Sequence, residues 1–248
     1  MKVFVASDFH LKFSENREDR SRKNRVISFL DSLIGKADLL ILNGDIFDLW
    51  YSWNHVIIKN YFPVLKKLAD LKESGCKIVF VAGNHDFWFK DFLSDTLGME
   101  IHREYYTTKI NGKNYFIAHG DKYTTNDLRY HLFRSLIRNK FIMKIFEFMH
   151  PDIALNIGKY LSRSSRVKKI SHRLVKMRES GLEIFAQKQL KHYDVVIMGH
   201  SHNPKIKKFT NGLYLNAGDW IVNNSYIEID AGKPKLHYYK SEKKNKNH

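Results

Sequence analysis

Residues 38–48 read DLLILNGDIFD: a largely apolar run, Asp38–Leu42 (DLLIL), that leads into Gly44-Asp45-Ile46-Phe47-Asp48. An apolar run this short, continuous rather than alternating, predicts a strand buried on both faces of a sheet. The same grammar recurs four times. Lys2–Ala6 (KVFVA) leads into Asp8-Phe9-His10, and Lys77–Ala82 (KIVFVA) into Gly83-Asn84-His85-Asp86. Asn114–Ala118 (NYFIA) leads into His119-Gly120-Asp121, and Asp194–Met198 (DVVIM) into Gly199-His200-Ser201-His202. Helical periodicity lies between some of these runs, over Arg25–Ile34 and Tyr61–Leu71, with Gly75 as a stop after the second. Leu213–Leu215 and Tyr226–Ile229 read as further strands. Strands alternating with helices predict an α/β sandwich. Ligands of such sheets bind beyond the carboxyl ends of the strands, so the five polar motifs are expected to converge.

The stretch 122–192 interrupts this order. Phe133, Ile137, Phe141 and Ile145 recur every four residues, with Leu136, Ile142, Phe146 and Met149 beside them and Arg134, Arg138, Lys140 and Lys144 between. This predicts an amphipathic helix that Pro151 ends or follows with a new one; Ile153–Leu161 and Ser171–Leu190 are helical by the same criterion. The expected organisation is a core of residues 1–121 and 193–232, a basic helical cap inserted at 122–192, and a basic strand and tail at 233–248.

Of 248 residues, 42 are Lys or Arg and 26 Asp or Glu, a net charge of +16. Residues 122–192 carry 16 basic and 5 acidic side chains, and residues 233–248 carry 6 and 1, so these two segments hold the whole excess. Such a field attracts anionic partners: phosphorylated substrates, acidic lipid or nucleic acid. The plainer reading is a set of solvated helix faces. No run approaches the ~18 apolar residues of a membrane span, and the start of the chain lacks the pattern of a secretory signal. Cys76 is the single cysteine, which fits a reducing, cytoplasmic setting.

The five motifs supply Asp, His and Asn, the donors that divalent metals take from proteins. An Asp can bridge two ions, and two ions ~3.5–4 Å apart can clamp a phosphoryl group for in-line attack. Singly, each motif has an ordinary structural reading: Asn84 as a turn residue, Asp121 as a helix cap. Five in order, each behind an apolar strand, point to a metal site.

This pattern, D-x-H, G-D-x-x-D, G-N-H-D, H and G-H-x-H, resembles the calcineurin-like metallophosphoesterases over residues 1–121 and 193–230. The resemblance implies a four-layer α/β/β/α sandwich. It implies one ion held by Asp8, His10, Asp45 and His202, and a second held by Asp45, Asn84, His119 and His200. His85 would assist the departing oxygen, with Asp86 as its partner. Gly44–Trp50 (GDIFDLW), His119-Gly120-Asp121 and the long helical insertion are similar, more narrowly, to the UDP-2,3-diacylglucosamine pyrophosphohydrolases of lipid A synthesis. Those enzymes release UMP and an acylated sugar 1-phosphate with Mn²⁺. That likeness implies substrate contacts from Asn84, His85 and Tyr130, and from Arg163, Ser165, Arg166, Lys169 and His172 in the insertion. It also implies a cytoplasmic enzyme peripherally bound to the inner membrane, and an apolar, basic cap suits an acylated substrate at an anionic bilayer. The narrower family usually has Arg where this chain has His85, although some related hydrolases carry the His form. The exact substrate therefore stays open. The other readings are a nuclease or small-substrate phosphodiesterase of the same superfamily, and a non-catalytic basic membrane-binding protein. Nucleic acid is the less expected partner, because the excess charge sits on an apolar helical insertion with no stacking platform.

Overall fold

The computed structural model describes residues 1–124, 135–136, 138–167 and 172–240, with side chains throughout except at 161–167 and 172–175. All five apolar runs are strands: β1 (Val3–Ala6), β2 (Leu39–Asn43), β3 (Lys77–Val81), β6 (Lys113–Ala118) and β7 (Val195–Met198). Six more complete two sheets: β4 (Glu100–His102), β5 (Tyr105–Ile110), β8 (Lys205–Phe209), β9 (Gly212–Asn216), β10 (Ser225–Asp230) and β11 (Lys233–Tyr238). The first sheet has the order β11-β10-β1-β2-β3-β4 and the second β5-β6-β7-β9-β8. β1, β2 and β3 are mutually parallel, as are β6, β7 and β9.

Strand period decides the layers. In the first sheet Val3, Val5, Leu39, Ile41, Val79 and Val81 face one way and meet Tyr115, Ile117, Val195, Ile197 and Leu215 of the second sheet. Phe4, Ala6, Leu40, Leu42, Ile78 and Phe80 face the other way, against helices α1 (Arg17–Leu33) and α2 (Phe62–Glu73). The outer face of the second sheet, with Phe116, Val196, Met198 and Tyr214, is covered by Leu182, Ala186 and Leu190. Leu182 and Ala186 lie on α5 (His172–Gln189), and Leu190 directly follows it. The result is a helix–sheet–sheet–helix sandwich whose central strands are apolar on both sides. Burying each such Val, Leu or Ile contributes about 1.5–3 kcal/mol.

Several boundaries differ from the sequence reading, each for a local reason. Helix α1 begins eight residues before the apolar periodicity does. Asn16 caps it, accepting from the Asp19 amide at 2.8 Å while the Asp19 carboxylate accepts from the Asn16 amide at 3.2 Å, a reciprocal box that starts a helix without apolar residues. Strand β5 forms a hairpin with β6 around Asn111 and Gly112, both at positive φ, which is the Asn-Gly turn that such hairpins favour.

The insertion is divided differently too. Asn139 caps a separate helix, α3 (Lys140–Phe148), and Pro151 opens α4 (Pro151–Val167). Phe133 and Ile137 lie outside the described residues. Met143, Phe146 and Met149 pack on the core, with the Phe146 ring 5.1 Å from Trp88 and the Tyr51 hydroxyl donating to the Met143 carbonyl at 2.9 Å. Phe141 and Phe148 face outward, 73% and 80% exposed. The stretch Leu182–Leu190 falls within the expected cap yet forms the fourth layer of the sandwich.

Candidate metal centre

The carboxyl ends of β1, β2, β3, β6 and β7 bring the five motifs together. Asp8, His10, Asp45, His200 and His202 all have positive φ, between 46° and 64°. L residues with side chains rarely adopt this region, and non-glycine residues in it cluster at functional sites. Backbone hydrogen bonds between neighbouring loops hold these conformations: the Asp8 amide donates to the Gly44 carbonyl at 3.0 Å, and the His10 amide to the Asp45 carbonyl at 2.9 Å. Gly44, at φ 79°, admits the His119 ring; a Cβ there would lie 2.6 Å from His119 Nδ1.

Three groups of donors result among the described residues, each with ligand atoms within 4.8 Å of one another: Asp8, His10 and His202 form the first, Asp45, His119 and His200 the second, and His10, Asp48 and His85 a third that shares His10 with the first. In the first, His202 Nε2 lies 3.2 Å from both His10 Nε2 and Asp8 Oδ1. In the second, His119 Nε2 lies 3.3 Å from Asp45 Oδ2 and from Asn84 Oδ1. Asp45 Oδ2 is also 3.8 Å from His10 Nε2, so this one oxygen faces both the first and the second group. Its other oxygen accepts from the His85 amide at 2.9 Å.

These separations fit metal ligation. Donors about 2.1 Å from a shared ion stand roughly 3.0–3.4 Å apart in octahedral or tetrahedral arrangement. The imidazoles are prepared for it. His119 Nδ1 donates to the Asn43 carbonyl at 2.9 Å, which turns Nε2 inward as the nitrogen that would ligate once deprotonated. His202 Nδ1 stands 3.4 Å from Asp219 Oδ2, and His10 Nδ1 3.5 Å from Asp48 Oδ1. An oxygen on the outer nitrogen is the usual way a ligating imidazole is oriented. Asp8 Oδ1 is fully buried, and its near neighbour is the His202 imidazole at 3.2 Å, so this oxygen is aimed at the centre.

The electrostatics agree. Burial opposes the ionisation of Asp8 and Asp45, but the surrounding imidazoles outweigh it and hold both carboxyls well below the usual range. Burial likewise opposes a charge on His202, and the Asp8 and Asp219 carboxylates overcome it, pushing the pKa up to about 10. His119 is raised well above its ordinary value, burial being outweighed by Asp45 and Asp8. Burial prevails at His10 and His200, which fall to about 4 and about 3. The buried carboxylates thus favour positive charge at the centre, which protons or cations can supply.

Asp86 is corrected by the structure. Its Oδ1 accepts from the amides of Asp45 and Gly83 and its Oδ2 from those of Ile46 and Phe47, at 2.6–3.0 Å. A carboxylate has about four acceptor sites, so none is left for His85. Instead, His85 Nδ1 donates to the Asp48 carbonyl at 2.9 Å. Asp86 fastens the Gly44–Phe47 loop to the Gly83–Asp86 loop. Burial first, then the Asp45 charge, raises its pKa to about 7, with the amide donors pulling the other way.

Three supporting residues escaped the sequence reading. Asp219 orients His202 and is itself fixed by the amides of Val222 and Asn223. Its signal was present: β9 runs into Asn216-Ala217-Gly218-Asp219, the same strand-to-polar grammar as the other five. Asn43 and Arg22 gave none. Arg22, buried on α1, donates to the His10 carbonyl at 2.8 Å and pairs with Asp19 at the same distance. Of the expected substrate contacts, Asn84 and His85 stand at the centre. Arg163, Ser165 and Arg166 fall on α4 and His172 opens α5, with side chains outside the described residues, as Tyr130 and Lys169 are altogether.

Comparison with known proteins agrees with this geometry. The profile of the family described as "Calcineurin-like phosphoesterase" matches residues 1–204. The UDP-2,3-diacylglucosamine hydrolase of Porphyromonas gingivalis (strain ATCC BAA-308 / W83) is 28% identical over 93% of this chain and 94% of its own length. That of Shewanella sp. (strain MR-7) is 30% identical over 93% and 95%. Among solved structures, an archaeal phosphodiesterase superposes with a TM-score of 0.52 over 96% of this chain and all of its own, at 16% identity, a likeness of fold. With the family profile covering residues 1–204 and the Asp, His and Asn donors of its motifs gathered at one rim, the chain belongs to the calcineurin-like phosphoesterases and is a metal-dependent hydrolase.

Proposed function

We propose that this chain hydrolyses the pyrophosphate of UDP-2,3-diacylglucosamine, giving UMP and 2,3-diacylglucosamine 1-phosphate. The carrying observation is that Asp45 Oδ2 faces the first two donor groups, 3.3 Å from His119 Nε2 and 3.8 Å from His10 Nε2. This supports two ions sharing Asp45, one with Asp8, His10 and His202 and the other with Asn84, His119 and His200. Mn²⁺ suits the mixed imidazole and carboxylate donors. Metal ions held by these residues would supply Lewis-acid polarisation of phosphoryl oxygens and a water activated at neutral pH. The substrate reading draws on relatives of that name that align over more than nine-tenths of the chain, the insertion included.

The residues divide the remaining work. His85, its Nδ1–H donated to the Asp48 carbonyl, is held with Nε2 free of that bond and is the proposed partner of the leaving oxygen. Asp86 fixes the loops that carry Asp45 and Asn84. The insertion serves as a cap for the acylated sugar, with Tyr130, Arg163, Ser165, Arg166, Lys169 and His172 as its proposed contacts. A cleft of about 230 Å³ between α3 and the core, lined by Tyr51, Trp88 and Phe89 with Lys140 and Lys144, and by Lys90 paired to Glu147, supports an amphipathic occupant. Exposed Phe141, Ile145 and Phe148 beside Lys140 and Lys144 support peripheral contact with an anionic cytoplasmic membrane face. Among the described residues no helix is long and apolar enough to cross a membrane.

UMP release from UDP-2,3-diacylglucosamine in Mn²⁺ tests the reading. Wild type should turn over, Asp45→Ala should not, and the de-acylated substrate should be poor. If de-acylated and acylated substrates react equally, the lipid reading falls.

A further inference from the structure

One side chain of the insertion reaches the metal-bearing loops of both sheets. Arg138 Nη2 donates to the Gly83 carbonyl at 2.9 Å and stands 3.9 Å from Asp121 Oδ2. Its guanidinium carbon lies 4.6 Å from the centroid of the Phe87 ring. Gly83 precedes Asn84 in the loop after β3, and Asp121 follows His119 by two residues in the loop after β6. The side chains of Asn84 and His119 themselves meet, Oδ1 to Nε2, at 3.3 Å.

We propose that Arg138 is a positioning residue for the metal centre, setting the spacing between the Asn84 loop and the His119 loop from within the insertion. The Gly83 carbonyl belongs to the peptide that joins Gly83 to Asn84, so the group that holds this oxygen sets the plane from which the Asn84 side chain departs. A guanidinium suits this role because it is planar, always charged and stacks on an aromatic face; here a single nitrogen, Nη2, holds the Gly83 carbonyl and lies within ion-pair range of Asp121. Here it spans two loops that belong to different sheets, which no strand pairing among the described residues ties together. Asn139, the next residue, caps α3, so the placement of the insertion and the spacing of the two loops are linked mechanically. Arg138 thereby lets an insertion bound to substrate act on Asn84 and His119 without contacting either ion.

The test is hydrogen exchange on the metal-free full chain, comparing wild type, Arg138→Met and Arg138→Lys, followed by Mn²⁺ titration of each. A charge-assisted hydrogen bond to a carbonyl is removed in Arg138→Met, so exchange in residues 83–86 and 119–121 should rise about tenfold or more, with β2 unchanged. Lysine can hold one acceptor but cannot stack as a planar group, so Arg138→Lys should recover part of the protection. Mn²⁺ affinity should fall about tenfold in Arg138→Met at one of two binding steps. Unchanged exchange in both loops would overturn the proposal, as would uniform acceleration through β2 and β7, which marks general destabilisation. The titration rests on the two-ion reading, and a single Mn²⁺ step in wild type would count against that reading alone, since exchange is measured without metal.

Discussion

At pH 8, above its raised pKa of about 7, replacing Asp86 by Asn removes one charge and no volume, and it separates a structural carboxylate from a chemical one. Asp86 is fully buried, and four backbone amides point at its two oxygens: Asp45 and Gly83 at 3.0 Å on one, Ile46 at 2.6 Å and Phe47 at 3.0 Å on the other. An asparagine offers one oxygen and one NH₂. In either flip, two amide donors keep an acceptor and two face another donor. Each buried donor left unsatisfied costs about 1–3 kcal/mol, so Asp86→Asn should destabilise the fold by about 2–6 kcal/mol. At roughly 2–4 °C per kcal/mol for a chain of this size, the melting temperature should drop by at least about 4 °C. Thermal unfolding in chelator measures this without interference from bound metal. A melting temperature within about 1 °C of wild type would refute the reasoning. If that stable variant had also lost turnover, Asp86 would belong to the chemistry beside His85.

Mn²⁺ binding should release protons, because His202 is pushed up to about 10 and His119 well above its ordinary value in the field of Asp8, Asp45 and Asp219. A ligating nitrogen must shed its proton, so apparent affinity should rise with pH between about 6 and 9, by up to tenfold per unit for each such histidine. Calorimetry in buffers of different ionisation enthalpy counts the protons, and a count of zero would refute this assignment. Asp219→Asn keeps the acceptor used by the Val222 and Asn223 amides but removes the charge beside His202. Metal affinity should fall about 10–100-fold with the melting temperature little changed, and unaltered affinity would remove Asp219 from the centre. Phe141→Ser with Phe148→Ser should abolish sedimentation with anionic vesicles, since each buried aromatic is worth about 1.5–3 kcal/mol. Hydrolysis of a soluble diester should be unaffected, and retained vesicle binding would move the membrane contact elsewhere.

The sequence was explicit wherever a strand is buried on both faces. The runs at 38–42, 77–82 and 194–198 are β2, β3 and β7 within one residue at each end, because two-sided burial demands uninterrupted apolar residues. Strands with an exposed face were harder to read: β8 (KIKKF) carries three lysines in five residues and is held by pairing with β9. The first half of α1 was hidden because REDRSRKN has no apolar period, although its capping box was there to be read.

At the site, the five motifs and their order were fixed by residue type and position along the chain. Chemistry needs donors of set kinds, and strand ends give them a common address. Which partner serves which donor was another matter. Asp86 lies beside His85 in sequence, yet its oxygens serve four amides, and the partner of His85 is the Asp48 carbonyl, 37 residues earlier. Asp219, Arg22 and Arg138 reach the centre from three other places in the chain. Such contacts depend on where loops of separate sheets, a packed helix and an insertion meet in space. The left-handed backbone of Asp8, His10, Asp45, His200 and His202 is of the same kind, strain that the local sequence disfavours and the surrounding hydrogen bonds impose.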